Sequence, residues 1–252
     1  MGRVSRILFR FIRGSVKLVY PRPTLEGTEN LPEGACVIVG NHAQIHGPII
    51  AEIYVPGPHY TWCAGEMMHL REVPGYAYRD FWSQKPKSVR WLFWIASRLI
   101  APLSVCVFGN ASCIGVYRDR RIHTTFRETL VRLEEGNRIV IFPEEDAPCN
   151  HILSRFQNGF VNVARMHHRR TGQALQFVPM YTAPRLRKVV FGRPVAYDPS
   201  RPIEEERERI TSAMAGAITG LAMSLPEHTV VPYRNIPKRD YPRSRPKEEA
   251  RA

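Results

Sequence analysis

Apolar positions along the first twenty residues recur at helical spacing. Val4, Ile7, Leu8, Phe11, Leu18 and Val19 fall on one face, and Arg3, Arg6, Arg10, Arg13 and Lys17 fall on another at alternating intervals of three and four. The pattern predicts a basic amphipathic helix over 2–20, ended by Pro21 and Pro23. Such a helix suits a membrane interface, with its apolar face in the acyl region and its arginines among anionic head groups. A helix packed on its own domain has little need of a basic stripe that contains no acid.

Beyond Pro23 the pattern changes to apolar β-like runs alternating with helical periodicity, which predicts a parallel sheet covered by helices. Strands are expected at 35–39, 60–64, 138–142, 176–181 and 188–191. Helices are expected at 48–54, 124–135, 156–170 and 203–224. The apolar stretch 91–108 is interrupted by Arg98 and Pro102, which predicts a buried helix followed by a strand; a membrane-dipping hairpin is the alternative. Residues 144–146 read as an acidic loop after a buried strand. From about 236 the chain is Pro-rich and charged, which predicts a flexible tail. The expected organisation is an amphipathic helix at 1–22, an α/β domain with a mostly parallel central sheet flanked by helices at 23–235, and the tail at 236–252.

The chain has 252 residues, enough for one α/β domain with a full core. Its formal net charge of +13 implies an acidic partner, either an anionic bilayer, nucleic acid or an acidic substrate. No nucleic-acid-binding motif accompanies the basic residues, so no nucleic-acid partner is expected. The five cysteines are odd in number and lack a Cys-x-x-Cys pair, which points away from a disulfide framework or zinc knuckle and towards a reducing cytosol. The basic residues of the first segment interrupt what a secretory signal would need as an apolar core.

The candidate chemistry begins at Asn41-His42, directly after the first buried strand, where ligands bind in open α/β sheets. Three further clusters follow in order: Ile114-Gly115-Val116-Tyr117-Arg118, then Phe142-Pro143-Glu144-Glu145-Asp146, then Val178-Pro179-Met180. Together they resemble the lysophospholipid, or 1-acylglycerol-3-phosphate, acyltransferase family. Its blocks run Asn-His-x-x-x-x-Asp, Gly-x-Ile-Pro-Val-x-Arg, Phe-Pro-Glu-Gly-Thr and Val-Pro-Val. The resemblance spans roughly 25–195. It implies that His42 is the general base toward an acceptor hydroxyl, that Arg118 grips phosphate, and that Glu144 shapes the acceptor site with Asn41, Gly115, Tyr117 and Pro143 around it. It also implies a lysolipid acceptor, an acyl-coenzyme A or acyl-carrier-protein donor and no cofactor, while the N-terminal helix predicts a peripheral place at the cytoplasmic membrane face. The chemistry agrees, since an imidazole can take a hydroxyl proton as it attacks a thioester and a guanidinium matches phosphate oxygens.

Two departures accompany the match. Gly47 stands where the family has the aspartate that orients the base, and Glu145-Asp146 stand where it has glycine and threonine. The pair of changes suggests that a carboxylate lost at 47 is regained at Glu145 or Asp146, with Glu66 and His46 as weaker substitutes. The alternative is a catalytically weakened family member that binds lipid without acyl transfer. His42 and His46 are four apart, but Pro48 disfavours helical geometry at Gly47, so no metal site is expected.

Overall fold

The computed structural model describes residues 2–79 and 87–245. In chain order the helices are α1 (Arg3–Val19), α2 (His46–Tyr54), α3 (Val73–Ala77), α4 (Arg90–Asn110), α5 (Ile122–Glu134), α6 (Asn162–Thr171) and α7 (Ile203–Ser224). The strands are β1 (Thr24–Glu26), β2 (Val37–Gly40), β3 (His59–Ala64), β4 (Cys113–Val116), β5 (Arg138–Ile141), β6 (Glu144–Pro148), β7 (Ser154–Phe156), β8 (Gln176–Ala183), β9 (Lys188–Phe191) and β10 (Val195–Ala196). The fold is α/β with mostly parallel pairing, as the alternation of patterns predicts. Two compact units divide the chain. One comprises the chain up to Tyr20 together with Thr61–Glu128; the other comprises Pro21–Tyr60 together with the chain from Thr129.

In the second unit β2 pairs in parallel with both β5 and β8. β8 also pairs antiparallel with β9 and β10, and β9 pairs in parallel with β1. Strands covered on both faces read as continuous apolar runs, and Val37, Ile38 and Val39 are fully buried. Each such side chain contributes about 1.5–3 kcal/mol by leaving water. α7 lies over β8 and buries Ile203, Ile210, Met214, Ile218 and Ala222 on one stripe. Glu204, Glu205 and Glu206 in its first turn favour the positive end of the helix dipole.

In the first unit β3 and β4 pair in parallel, with Thr61 opposite Cys113 and Ala64 opposite Val116. α1 packs on α4 through small polar groups: the Asn110 amide donates to Ser5 Oγ at 2.7 Å, and Ser5 Oγ lies 3.5 Å from Cys106 Sγ. No residue of α1 is buried, and Phe11 stays 72% exposed.

Several expectations are corrected. The stretch 91–108 contains no strand and is not a buried helix; α4 runs unbroken for 21 residues through both Arg98 and Pro102. Arg98 is accommodated because its guanidinium stacks on the Trp94 ring at 3.2 Å. The buried positions of α4 are the small Ser97, Ala101, Ser104 and Cys106, whereas Trp91, Leu92, Trp94, Leu99 and Leu103 are exposed. By length and composition α4 could cross a membrane. The acidic segment 144–146 is the start of β6, which pairs antiparallel with β7 instead of forming an open loop. Phe156, expected in a helix, ends β7, and the following helix begins only at Asn162. α2 includes Gly47 despite Pro48, because glycine has no Cβ to meet the proline ring.

Residues 236–245, expected as flexible tail, are folded. Val230 N–H donates to the Pro242 carbonyl and Ser244 N–H to the His228 carbonyl, both at 2.9 Å, and Ser244 is fully buried. The remainder of the expected tail, 246–252, lies outside the described residues.

Candidate functional site

Parallel neighbours end on the same edge of a sheet, which is why two sequence blocks about a hundred residues apart converge. Val39 of β2 stands opposite Ile141 of β5, so Asn41-His42 and Phe142-Pro143-Glu144 leave the sheet side by side. Asn41 is buried and both ends of its amide are engaged. Its nitrogen donates to the Thr182 carbonyl at 3.1 Å, and its oxygen accepts the Thr182 N–H at 2.7 Å. Asn41 therefore locks the end of β2 to β8, a positioning contact; its amide is not turned toward a ligand.

The turn after Asn41 is unusual for its residue types. Ala43 and Gln44 both adopt positive φ, 45° and 54°, although neither is glycine. A non-glycine residue in this region costs on the order of 1–2 kcal/mol. What the turn accomplishes is visible at the imidazole: His42 Nδ1 hydrogen-bonds the main-chain carbonyl of Gln44. A carbonyl can only accept, so Nδ1 carries the proton, and in the neutral ring the lone pair is then on Nε2. The ring also packs edge-on against Phe142 and Tyr233, each with its centroid 5.5 Å away.

This winding explains Gly47. A Cβ at that position would lie 2.7 Å from the carbonyl oxygens of both Asn41 and His42, and 2.9 Å from the Phe142 ring. Two of those contacts are main chain and cannot swing aside, so an aspartate at 47 does not fit this turn. The Gly47 N–H donates to the His42 carbonyl at 3.0 Å, closing the turn from the other side. Position 47 has no room for a side chain, and the group that His42 Nδ1 meets is the main-chain carbonyl of Gln44.

Glu144 supports the same turn from below. Its two oxygens accept the N–H groups of His42 at 2.6 Å and Ser154 at 2.9 Å. Glu144 therefore fixes the backbone of His42 and leaves the imidazole to Gln44. Burial pushes its carboxyl up to about 7, against the pull of the two N–H donors.

Glu145 and Asp146, expected to orient His42, are engaged elsewhere. Glu145 pairs with Arg155 and Asp146 with Arg234, both from β6. Of the weaker substitutes, His46 opens α2 and has its pKa lowered by burial and by Arg185, while Glu66 lies in the first unit within the turn Gly65–Met68. His42 is outside the helix that His46 begins. Among the described residues no group of three or more His, Cys, Asp and Glu is placed to hold a metal ion.

Pro143 is buried, and its carbonyl accepts the Gln157 N–H at 2.9 Å. Gly115, Tyr117 and Arg118 belong to the first unit, at and after the end of β4. The Gly115 carbonyl accepts from Thr125 Oγ1 at 2.6 Å, Tyr117 Oη lies 2.8 Å from His69 Nε2, and Arg118 is exposed. Nearby Arg121 is committed to Asp119 and Glu72, both at 2.8 Å. Among the described residues Arg118 has no ion-pair partner.

Sequence reasoning missed Gln44, Ser154, Thr182, Tyr233, Arg234 and Tyr241. Gln44 Nε2 donates to Tyr241 Oη at 2.9 Å and to the Arg234 carbonyl at 3.3 Å. None of these residues carries a motif, and most act through main-chain atoms.

No family model matches the sequence, and no curated protein matches it. Among solved structures, the 1-acyl-sn-glycerophosphate (LPA) acyltransferase of Thermotoga maritima matches with a TM-score of 0.46 and 15% identity, covering 86% of this chain and 80% of that chain.

Proposed function

We propose that the protein is an acyltransferase that moves a fatty acyl group from an acyl thioester to a hydroxyl of a lysophospholipid or related glycerolipid, with His42 as the general base. The observation that carries this reading is the imidazole itself. Its Nδ1–H is committed to Gln44, which selects the tautomer whose Nε2 can accept a proton. The hydroxyl oxygen attacks the thioester carbonyl as Nε2 takes its proton. The tetrahedral intermediate then expels the thiolate, which leaves protonated by the imidazolium. Arg118 keeps the phosphate-binding role that the sequence resemblance gives it. The donor is acyl-coenzyme A or acyl-carrier protein, both acidic and both suited to a chain of net charge +13.

The protein acts peripherally at the cytoplasmic face of an anionic membrane, and two features of the first unit support that placement. α1 has Arg3 and Arg6 in its first two turns and no acid there, which opposes its own helix dipole; anionic head groups would relieve the conflict. α4 adds exposed Trp91, Trp94 and Leu99, an apolar load that water disfavours and an interface accepts. All five cysteines are free, which fits a reducing compartment.

The test offers labelled acyl-coenzyme A and acyl-carrier protein with a panel of lysolipids in anionic vesicles. Labelled diacyl product from one donor is expected. Protein that floats with the vesicles but transfers nothing to any acceptor would support the lipid-binding alternative instead.

A further inference from the structure

We infer that the C-terminal strap, Tyr233–Tyr241, positions the base: it holds Gln44 so that the Gln44 carbonyl keeps the proton on His42 Nδ1. The inference rests on the reading of His42 as the base and supplies the part of that reading which the sequence lacks.

The Gln44 amide nitrogen has two hydrogens, and the strap provides an acceptor for each. One is Tyr241 Oη at 2.9 Å and the other is the Arg234 carbonyl at 3.3 Å. Gln44 is thus gripped at two points about 190 residues away in sequence, while its backbone sits at a φ of 54° that glutamine rarely adopts unaided. Releasing the side chain lets the peptide relax toward ordinary dihedrals, and the carbonyl turns away from Nδ1. The same strap brings Tyr233 edge-on to the imidazole, which Phe142 also meets edge-on, so a ring flip that would exchange the two nitrogens is opposed by two aromatic rings.

A positioning element must itself be fixed, and the strap is anchored at both ends. Arg234 pairs with the Asp146 carboxylate and also donates from Nη2 to its carbonyl at 3.0 Å. On the far side of Tyr241, the Pro242 carbonyl accepts the Val230 N–H and Ser244 bonds both ways with the His228 backbone. His228 is buried and in turn lies 2.8 Å from Tyr181 Oη on β8. The chain therefore returns from the core, crosses beside the His42 turn and is tied down again. Asp146 has a role in this arrangement: it anchors the strap.

The test is long-range ¹H–¹⁵N correlation on histidine-labelled full-length protein at a pH where His42 is neutral, with the resonance assigned by its loss in His42→Ala. Wild type is expected to show protonated Nδ1 and unprotonated Nε2. Tyr241→Phe removes one acceptor, and Gln44→Leu removes both donors but keeps the carbonyl. Each is expected to shift His42 toward the opposite tautomer and lower kcat roughly tenfold with KM unchanged. Wild type protonated at Nε2 overturns the inference. So does an unchanged tautomer in either variant that retains a folded spectrum, because the strap would then be packing alone. The expected tautomer in a protein that transfers no acyl group faults the acyltransferase reading and leaves the positioning intact.

Discussion

The His42 turn and the α1–α4 pair solve opposite problems. In the His42 turn Asn41, Glu144 and the imidazole are buried or half-buried and partnered: Asn41 on Thr182, Glu144 on two N–H groups, the imidazole on Gln44. Along α1 and α4 large apolar side chains stand in solvent, while the helices touch through serine, cysteine and asparagine. The first arrangement is over-determined and intolerant of change. The second is under-satisfied as it stands, and an apolar, anionic surface would complete it. The contrast teaches that stability and recognition are carried by different residue types in this chain, so substitutions in the two regions should separate cleanly.

Gly47→Asp gives the largest expected effect. It places at 47 the aspartate of the first block that the sequence resembles, yet forces a Cβ onto two carbonyl oxygens and a charge into a closed turn. The expected cost is about 4 kcal/mol, read as a fall in melting temperature with loss of activity. Wild-type stability, or higher activity, would contradict the tight-turn account of Gly47.

Glu144 predicts a pH dependence next in size. A carboxyl raised from 4.5 to about 7 keeps its proton in the folded protein through a window where the unfolded chain has released it. Unfolding then releases a proton, so stability falls as pH rises through that window, by about 3 kcal/mol in all. Glu144→Gln removes this slope and leaves a constant destabilisation, because a carboxamide can accept only one of the two N–H donors well. Chemical denaturation of both proteins between pH 4.5 and 7.5 measures the difference.

Phe11→Ser and Leu99→Ser should each weaken binding to anionic vesicles roughly tenfold. Both residues are mostly exposed, at 72% and 75%, so thermal stability should move by no more than about 0.5 kcal/mol. A large loss of stability with unchanged vesicle binding would reverse the assignment of this face. The smallest expected effect is Asp146→Asn. Its ion pair with Arg234 is exposed and is worth under about 1 kcal/mol, and the Asp146 carbonyl still holds Arg234.

Legibility in the sequence followed the same division between side chains and main chain. β2, β5 and β8 announce themselves as continuous apolar runs and α7 by its helical period, and His42 and Glu144 stand just past the ends of two of those strands. Their convergence follows from parallel pairing. The orienting contact was not legible, because it runs through a carbonyl and through positive φ at alanine and glutamine, where no glycine or asparagine marks the turn. α4 differs from its sequence pattern because proline and arginine are ordinary breakers, while its exposed apolar face looks in sequence like a buried one. Residues 236–245 read as tail because Pro-rich charged composition buries little apolar surface; backbone and hydroxyl hydrogen bonds hold them instead.

The most direct measurement is single-turnover acyl transfer by wild type and His42→Ala, with the donor and acceptor that give product and with vesicle binding confirmed for both. A loss of about a thousandfold in the chemical step with binding retained is the expected result. Transfer at an undiminished rate in the variant would contradict the assignment of His42 as the base, and with it the function assigned to the turn that Gln44 and Glu144 hold in place.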